Sequence, residues 1–319
     1  MIHYMPKVSV IIPTYNNSQY LLQAIASVHA QSYGPIEIIV IDDGSTDNTS
    51  EVIGALGGDI IYIKQSNGGP AKARNKGIAV AKGDFVAFLD SDDIWLPDKI
   101  EKQIDFFRTH PEVVLVYSRA ANFNDGFMEK REEVFPVRVV SGFIFDEVLF
   151  GLLILLSSVV VKTSIIKENG CFDEALTTAE DTNFLLKVAY TYHLGGLPEV
   201  LVLRRKHLGN LSDKVDIRLG TLENLNRITA AFPIIHPQRY LPMRYAYKIR
   251  GRALVKEFFH HQKYDLVVNT SKEIVRIGIF DPIIYLFCLI SQLPVPIITL
   301  LRFIWKKIGL NNRYLGAER

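Results

Sequence analysis

Carboxylates gather at three places in this sequence: Asp42-Asp43-Gly44-Ser45-Thr46-Asp47, Asp90-Ser91-Asp92-Asp93 and Glu180-Asp181. Like charges packed together repel, so a compensating cation is expected where they meet. Mg2+ or Mn2+ suits such a place, because these ions take one or two carboxylates and fill their other positions with phosphate oxygens and water. Asp and Ser also cap helices and close Asx turns with no ligand at all. The 42–47 stretch admits both readings. Asp90-Ser91-Asp92 follows directly on the apolar run Phe85–Leu89, a placement that favours the metal. Glu180-Asp181 opens a helical stretch, where an acid either caps the helix or serves as general base toward a hydroxyl.

The elements that must carry these clusters alternate regularly. Val8–Ile12 is short, apolar and β-branched, which predicts a buried strand. Asn17 and Ser18 offer an N-cap for a helix with Leu21, Ile25 and Val28 on one face. Further strands are expected at Glu37–Ile41, Ile60–Lys64, Phe85–Leu89 and Val113–Tyr117, and helices over Asp47–Leu56, Pro70–Ala81 and Thr182–Tyr190. Asp98 and Glu101 have capping-box spacing for another helix, which Pro111 stops. The apolar run Val148–Val161 is too short to span a bilayer and reads as core. Strand and helix in this alternation imply an α/β fold with parallel strands. Ligands of such sheets bind beyond the carboxyl ends of the strands, which here means the loops 13–17, 42–47, 66–74 and 90–93.

The 319 residues are 48% hydrophobic and 22% charged, which excludes wholesale disorder and fibrous repeats. Cys171 and Cys288 can build neither a disulfide framework nor a zinc site. A formal charge of +2 gives no reason to expect nucleic acid as a partner. No G-x-G-x-x-G follows the first strand and no Walker A pattern occurs, which disfavours dinucleotide oxidoreductases and P-loop enzymes. The charge is uneven: residues 234–319 hold 14 basic and 5 acidic side chains, and the rest of the chain holds 22 and 29. An acidic front and a basic back suggest two regions with different tasks.

Val8-Ser-Val-Ile-Ile-Pro-Thr-Tyr-Asn16, Ile41-Asp-Asp-Gly-Ser-Thr-Asp47, Gly69-Pro-Ala-Lys-Ala-Arg-Asn75, Phe88-Leu-Asp-Ser-Asp-Asp93 and Glu180-Asp181 occur in this order over residues 6–212. In order and spacing they resemble family 2 glycosyltransferases. The resemblance implies the GT-A fold, a Rossmann-like, mostly parallel central sheet flanked by helices. Its nucleotide-binding half would span about residues 1–112 and its acceptor half about 113–232, with a basic, apolar, helical extension over 233–319. It implies transfer of a sugar from a nucleotide-diphosphate donor, commonly UDP-linked, to a hydroxyl of a glycan or lipid-linked acceptor, with inversion at the anomeric carbon. Pro13, Thr14, Tyr15 and Asn16 would form the base pocket, with Tyr15 beside the base, since an aromatic face stacks on any base. Asp42 and Asp43 would read the base edge and the ribose, and Arg74 would contact the nucleotide or diphosphate. Asp90-Ser91-Asp92 matches the D-x-D motif: Asp92 would bind the divalent metal, Asp90 the ribose or a metal-bound water, while Asp93 would cap the turn before Trp95. Asp181 would be the general base, with Glu180 as second candidate. His207 would complete the metal shell or hold the diphosphate, and Arg204 and Arg205 would pair with phosphate.

Two other functions compete. A nucleotidyltransferase forming sugar nucleotides would show a Gly-rich loop ending in Arg where Pro13-Thr-Tyr-Asn16 stands, and a noncatalytic scaffold would not need both Asp92 and Asp181. No secretory signal is visible near Met1, so a cytoplasmic location is expected. Arg244, Lys248, Arg252 and Lys256 recur at i, i+4 and make a basic helix face. Ile283–Leu301 holds 19 residues without a charge, close to the roughly 20 that a spanning helix needs. Basic residues flank it on both sides and Pro294 and Pro296 interrupt it, which predicts a re-entrant or interfacial segment at the cytoplasmic face of a membrane, with Trp305 near the headgroups. A helix buried on protein, or a dimer contact, is the competing reading.

Overall fold

In the computed structural model, strand β1 (Val8–Thr14) is buried along nearly its whole length, as an uncharged run of Val and Ile permits when both faces are covered. The structure describes residues 5–58, 60–125, 131–149, 151–176, 178–207, 251–252, 255–256, 258–260, 262–276 and 281–307. From β1 the chain passes through α1 (Ser18–His29) to β2 (Ile36–Asp42), then through α2 (Thr49–Leu56) to β3 (Ile60–Lys64), each strand parallel to the one before. Helix α3 (Pro70–Val80) then carries it back to β4 (Phe85–Phe88), which pairs parallel on the opposite side of β1. The order therefore reverses at β1, and the crevice that open α/β sheets use for ligands lies beyond the carboxyl ends of β1 and β4.

The described sheet is completed by β5 (Ile94–Trp95), β6 (Val113–Asn124), β7 (Arg131–Phe135), β8 (Val160–Lys162) and β9 (His193–Lys206). The order is β3-β2-β1-β4-β8-β6-β9-β5, with β7 added to β6. Strand β8 runs antiparallel between β4 and β6, while β9 is parallel to β6. Helices α4 (Lys99–Thr109), α5 (Phe145–Leu149), α6 (Thr163–Asn169) and α7 (Glu180–Thr191) connect these strands, with a 3-10 turn at Leu156–Ser158. Most of Val148–Val161 is buried, as its composition requires.

Two close contacts set the site's depth. A Cβ on Gly77 of α3 would lie 2.5 Å from Cγ2 of Ile11, so this helix rides directly on β1 and carries Arg74 in with it. Phe88, Phe172 and Phe184 form an aromatic trio, with ring centroids 4.7–6.0 Å apart. The trio joins the end of β4 to the segment before α7 and to α7 itself, and so fixes two acidic clusters relative to each other.

Three local expectations are corrected. Strand β6 runs seven residues past Tyr117 because its far half pairs with β7 and β9. Helix α2 starts at Thr49 and not at Asp47, since Asp47 folds back to accept from the Thr49 N–H (3.1 Å) and hydroxyl (2.5 Å). The capping box at α4 does not form: Asp98 pairs with Lys102 at 2.7 Å and Glu101 accepts from Ser32 at 2.6 Å, partners that outcompete a backbone N–H.

The chain divides into two compact units, Met1–Asp213 and Lys214–Arg319. The second contains α8 (Tyr264–Arg276), α9 (Pro282–Ser291) and α10 (Val295–Lys307). Asp281 caps α9 by accepting from the N–H groups of Ile283 (2.9 Å) and Ile284 (3.1 Å), and it pairs with Arg252. The apolar run is thus two helices, broken at residues 292–294 where Pro294 ends the helical ladder. No helix among the described residues is long and apolar enough to cross a membrane. The expected boundary after residue 232, and Arg244 and Lys248, lie outside the described residues.

Candidate active site

The loop after β1 and the turn after β2 are stitched into one wall. Asn16, at a left-handed φ of 49°, turns its Oδ1 to accept from the N–H of Thr46 at 2.7 Å, and its own N–H donates to Ser45 Oγ at 2.9 Å. Gly44 has φ +85° and sits so close to Asn67 that a Cβ would meet the Asn67 nitrogen at 2.9 Å, so only glycine fits this turn. Asp42 is fully buried and accepts from Ser45 N–H (2.7 Å) and Tyr62 hydroxyl (2.5 Å), with Lys64 at 3.7 Å. Burial pushes its carboxyl up, but these donors and the ammonium outweigh burial and hold it below its ordinary value. Asp43 accepts from Gln65 and from the N–H groups of Gly68 and Gly69 at 2.8–2.9 Å, fixing the approach to α3. Pro13 and Thr14 end β1, and Tyr15 stands 51% exposed at the rim.

The second wall is the turn Asp90–Asp93. Asn17 donates to Ser91 Oγ at 2.9 Å, so the β1 and β4 ends meet across the switch point. Ser157 supports the turn from behind: it accepts from the Asp90 N–H (3.1 Å) and donates to Asp93 Oδ2 (2.6 Å), while Trp95 Nε1 donates to its carbonyl (2.7 Å). Asp93 is buried, and burial together with Asp92 and Asp90 pushes its carboxyl well up. Its side chain does not cap the turn before Trp95; it binds Ser157 and the Arg205 N–H, because a buried carboxyl must take whatever donors surround it.

Strand β9 delivers His207 to this turn across 115 positions, with Nε2 3.0 Å from Asp92 Oδ2. Burial and Asp90 raise the Asp92 pKa, and His207 opposes them. Arg205 does not reach out toward phosphate. It is buried, donates to the Asp92 carbonyl (3.1 Å), Gln23 (2.7 Å) and Asp125 (2.5 Å), and lies over the Tyr20 ring at 4.4 Å. It therefore clamps the turn to α1 and β6. Arg204 extends toward Asn122 at 3.5 Å.

The third group comes from α7. Arg74 spans the site from α3, with Nη2 2.8 Å from Asp90 and Nη1 2.6 Å from Glu180. Its guanidinium lies 5.5 Å from the Phe172 centroid, and its buried Nε has no partner among the described residues. Burial disfavours its charge, but Asp90 and Glu180 overcome that and drive its pKa upward. Asp181 is half-buried beside Glu180 and accepts from the Thr182 N–H at 2.6 Å. Burial and the Glu180 charge push its pKa up to about 6, with Arg74 pulling the other way. Ala179, just before these acids, has φ 54°, a conformation that costs about 1–2 kcal/mol outside glycine and marks stored strain at this helix start.

Among the described residues no three His, Cys, Asp or Glu side chains converge on one ion. What the turn offers is the Asp92–His207 pair, with Asp90 crowding it. That set fits an ion which completes its shell with phosphate oxygens and water. Thus Asp90, Ser91, Asp92 and His207 are brought together on one side, Glu180 and Asp181 on the other, and Arg74 links them. Ser157 and Asn75 carry no sign of their roles in local spacing. Asn75 exchanges two 2.9 Å hydrogen bonds with the Phe172 backbone and so anchors the segment before α7. The only trace of Ser157 is the pair Ser157-Ser158 interrupting an apolar run.

Comparison with known proteins gives the family and the fold. The pattern of the family described as Glycosyl transferase family 2 matches residues 9–156. An uncharacterized glycosyltransferase of Rickettsia prowazekii is 31% identical over 239 residues, covering 70% of this chain and 74% of that protein. Of two further Rickettsia relatives the chain spans only 32% and 65% of the length. The solved structure of Staphylococcus aureus TarS 1–349 with UDP-GlcNAc aligns with a TM-score of 0.58 and 24% identity, covering 70% of this chain and 66% of that one. A mannosyltransferase of Pyrobaculum calidifontis, in complex with GDP-Man and Mn2+, aligns with a TM-score of 0.62 and 17% identity, covering 98% and 83%. At these identities the two structures speak for the fold alone.

Proposed function

Because this chain belongs to glycosyltransferase family 2 and has the GT-A fold, we propose that it moves a sugar from a UDP-linked donor to a hydroxyl of a glycan or lipid-linked acceptor, with inversion at the anomeric carbon. The observation that carries this reading is the single guanidinium joining two acidic groups 90 positions apart: Arg74 binds Asp90 of the donor turn and Glu180 beside Asp181. In this reading Pro13, Thr14, Asn16 and Asp43 face the nucleoside, the buried Asp42 holds that wall from behind through Ser45, and the exposed ring of Tyr15 stacks on the base. Asp92 and His207 hold a divalent cation, Mg2+ or Mn2+, with Asp90 and Ser91 completing the turn toward ribose and diphosphate. When bound, that cation offsets the charge gathering on the departing diphosphate.

Asp181 takes the acceptor hydroxyl's proton while that oxygen bonds to the anomeric carbon and the bond from this carbon to the diphosphate oxygen breaks. A carboxylate with its pKa raised to about 6 is ionised at neutral pH yet basic enough to accept a proton, the compromise that general-base catalysis favours. Glu180, held by Arg74, keeps that pKa high by its charge and is a positioning residue.

The test is a thermal-shift panel of nucleotide sugars with and without Mn2+, followed by transfer assays on the hits. A ligand that binds only the folded state raises Tm in step with its affinity. The reading expects a UDP-sugar to raise Tm strongly only with the metal; a panel in which no nucleotide sugar shifts Tm contradicts it.

A further inference from the structure

Helix α9 is apolar all round. Ile284, Phe287 and Ile290 are buried on one face, packed within the second unit, where the Phe287 ring lies 4.8 Å from Phe259. A helix of this kind is normally enclosed on every side, by protein or by lipid. Here the opposite face is open. Leu286 and Leu289 are 47% and 52% exposed, Leu293 just past the helix is 39% exposed, and in α10 Val295, Ile297 and Leu300 are exposed as well. Arg302 donates to the Tyr264 hydroxyl (3.3 Å) and the His260 carbonyl (3.1 Å), which anchors α10 within the unit. Six large apolar side chains from one 15-residue stretch are thus exposed, with no charge between them in sequence. Large apolar side chains left exposed in this number mark a place that something covers.

The charge pattern selects the cover. After Asp281 the chain carries five basic residues and one acidic residue, with Arg302 among the basic ones turned to Tyr264 and His260, and Lys272, Glu273 and Arg276 precede the stretch. Apolar side chains flanked by cations fit a lipid surface with anionic headgroups, where the acyl boundary takes the apolar face and the phosphates meet the ammonium and guanidinium groups. A second copy would bring its own cations to the same place, and they would repel. Neither helix is long and apolar enough to span, so the segment lies in the interface. We infer that the α9–α10 segment is a membrane-surface anchor that inserts Leu286, Leu289, Leu293, Val295, Ile297 and Leu300 into an anionic bilayer. The inference rests on the second unit alone, so it stands or falls separately from the sugar-transfer chemistry.

The experiment is sedimentation of the full chain with sucrose-loaded vesicles, either phosphatidylcholine alone or phosphatidylcholine with phosphatidylglycerol. Wild type is expected to pellet with the anionic vesicles at least tenfold more than with neutral ones, and partly to release at high salt. Leu286→Glu/Leu289→Glu/Leu300→Glu should lower the bound fraction at least tenfold with an unchanged Tm; the single variant Leu289→Glu gives the same direction if the triple variant folds poorly. Equilibrium ultracentrifugation without lipid should give the same mass for wild type and variant. The inference is overturned if wild type stays in the supernatant with anionic vesicles, if wild type and variants pellet equally, or if wild type is a dimer that the variants dissociate.

Discussion

Removing the charge of Arg74 makes the sharpest internal test, because Arg74 and its partner Glu180 act on Asp181 in opposite senses. Arg74→Met keeps the stem but leaves Glu180, 8% exposed, without its ion-pair partner. Breaking a buried pair from one side costs about 3–5 kcal/mol. The Asp90 arm adds little, since that carboxylate is a third exposed and solvent screens it. For a unit of this size each kcal/mol moves Tm by about 2–4 °C, so a fall of roughly 6–20 °C is expected by calorimetry. Arg74→Met/Glu180→Gln should recover most of the loss, since both charges are then gone. The pH dependence is more specific. Asp181 must be ionised to act, so kcat/KM should fall about tenfold per unit below pH 6 and level off above it. Arg74 lowers the Asp181 pKa and Glu180 raises it. The acid limb should therefore move to higher pH in Arg74→Met and to lower pH in Glu180→Gln. A loss under 2 °C, or limbs that stay put or move in the same direction, would refute the coupling.

Other consequences follow from the same geometry. Asp181 has a folded-state pKa above its unfolded value, so ionising it costs stability that appears as pH rises from about 4 through 6. Asp181→Asn should raise Tm at pH 7.5, by up to about 3 kcal/mol of stability, and leave it unchanged at pH 4, as scanning calorimetry can show. Ser157→Ala removes the hydroxyl that bridges Asp90 and Asp93, so it should cost about 1–3 kcal/mol and weaken metal-dependent donor binding by calorimetric titration. Phe172→Ala opens the aromatic trio between the two acidic groups and should cost about 3–5 kcal/mol by urea unfolding, together with a loss in kcat.

The parallel half of the sheet was legible because each of its strands is a short apolar run closed by polar or turn-forming residues, a pattern that depends only on neighbours in sequence. The loops that carry Tyr15, Asp42 and Asp92 could be located for the same reason, whereas Asp181 was found from the helical stretch it opens and from the motif it completes. Arg205 was expected to pair with phosphate because the family resemblance placed a basic pair there; only the pairing of β9 with β6 turns that side chain inward against Asp125 and Gln23. Ser157 was invisible because its partners lie more than 60 positions away. Asp93 and the Asp98–Glu101 box show the limit of spacing rules: a motif states which bond is possible, and competing donors decide which one forms. The break in α9–α10 was readable from Pro294, but which of its faces is open depends on how the second unit packs.

The central claim is a division of labour in which Asp92 serves donor binding and Asp181 serves proton removal. Its most direct test is to measure Mn2+-dependent donor affinity by calorimetric titration and transfer rate on the same preparations of Asp92→Ala and Asp181→Asn. The account predicts that Asp92→Ala loses the metal-dependent affinity, whereas Asp181→Asn binds donor within a factor of about two of wild type and transfers roughly 10²–10⁴-fold more slowly. Undiminished transfer by Asp181→Asn, or metal-dependent binding that survives in Asp92→Ala, would contradict it.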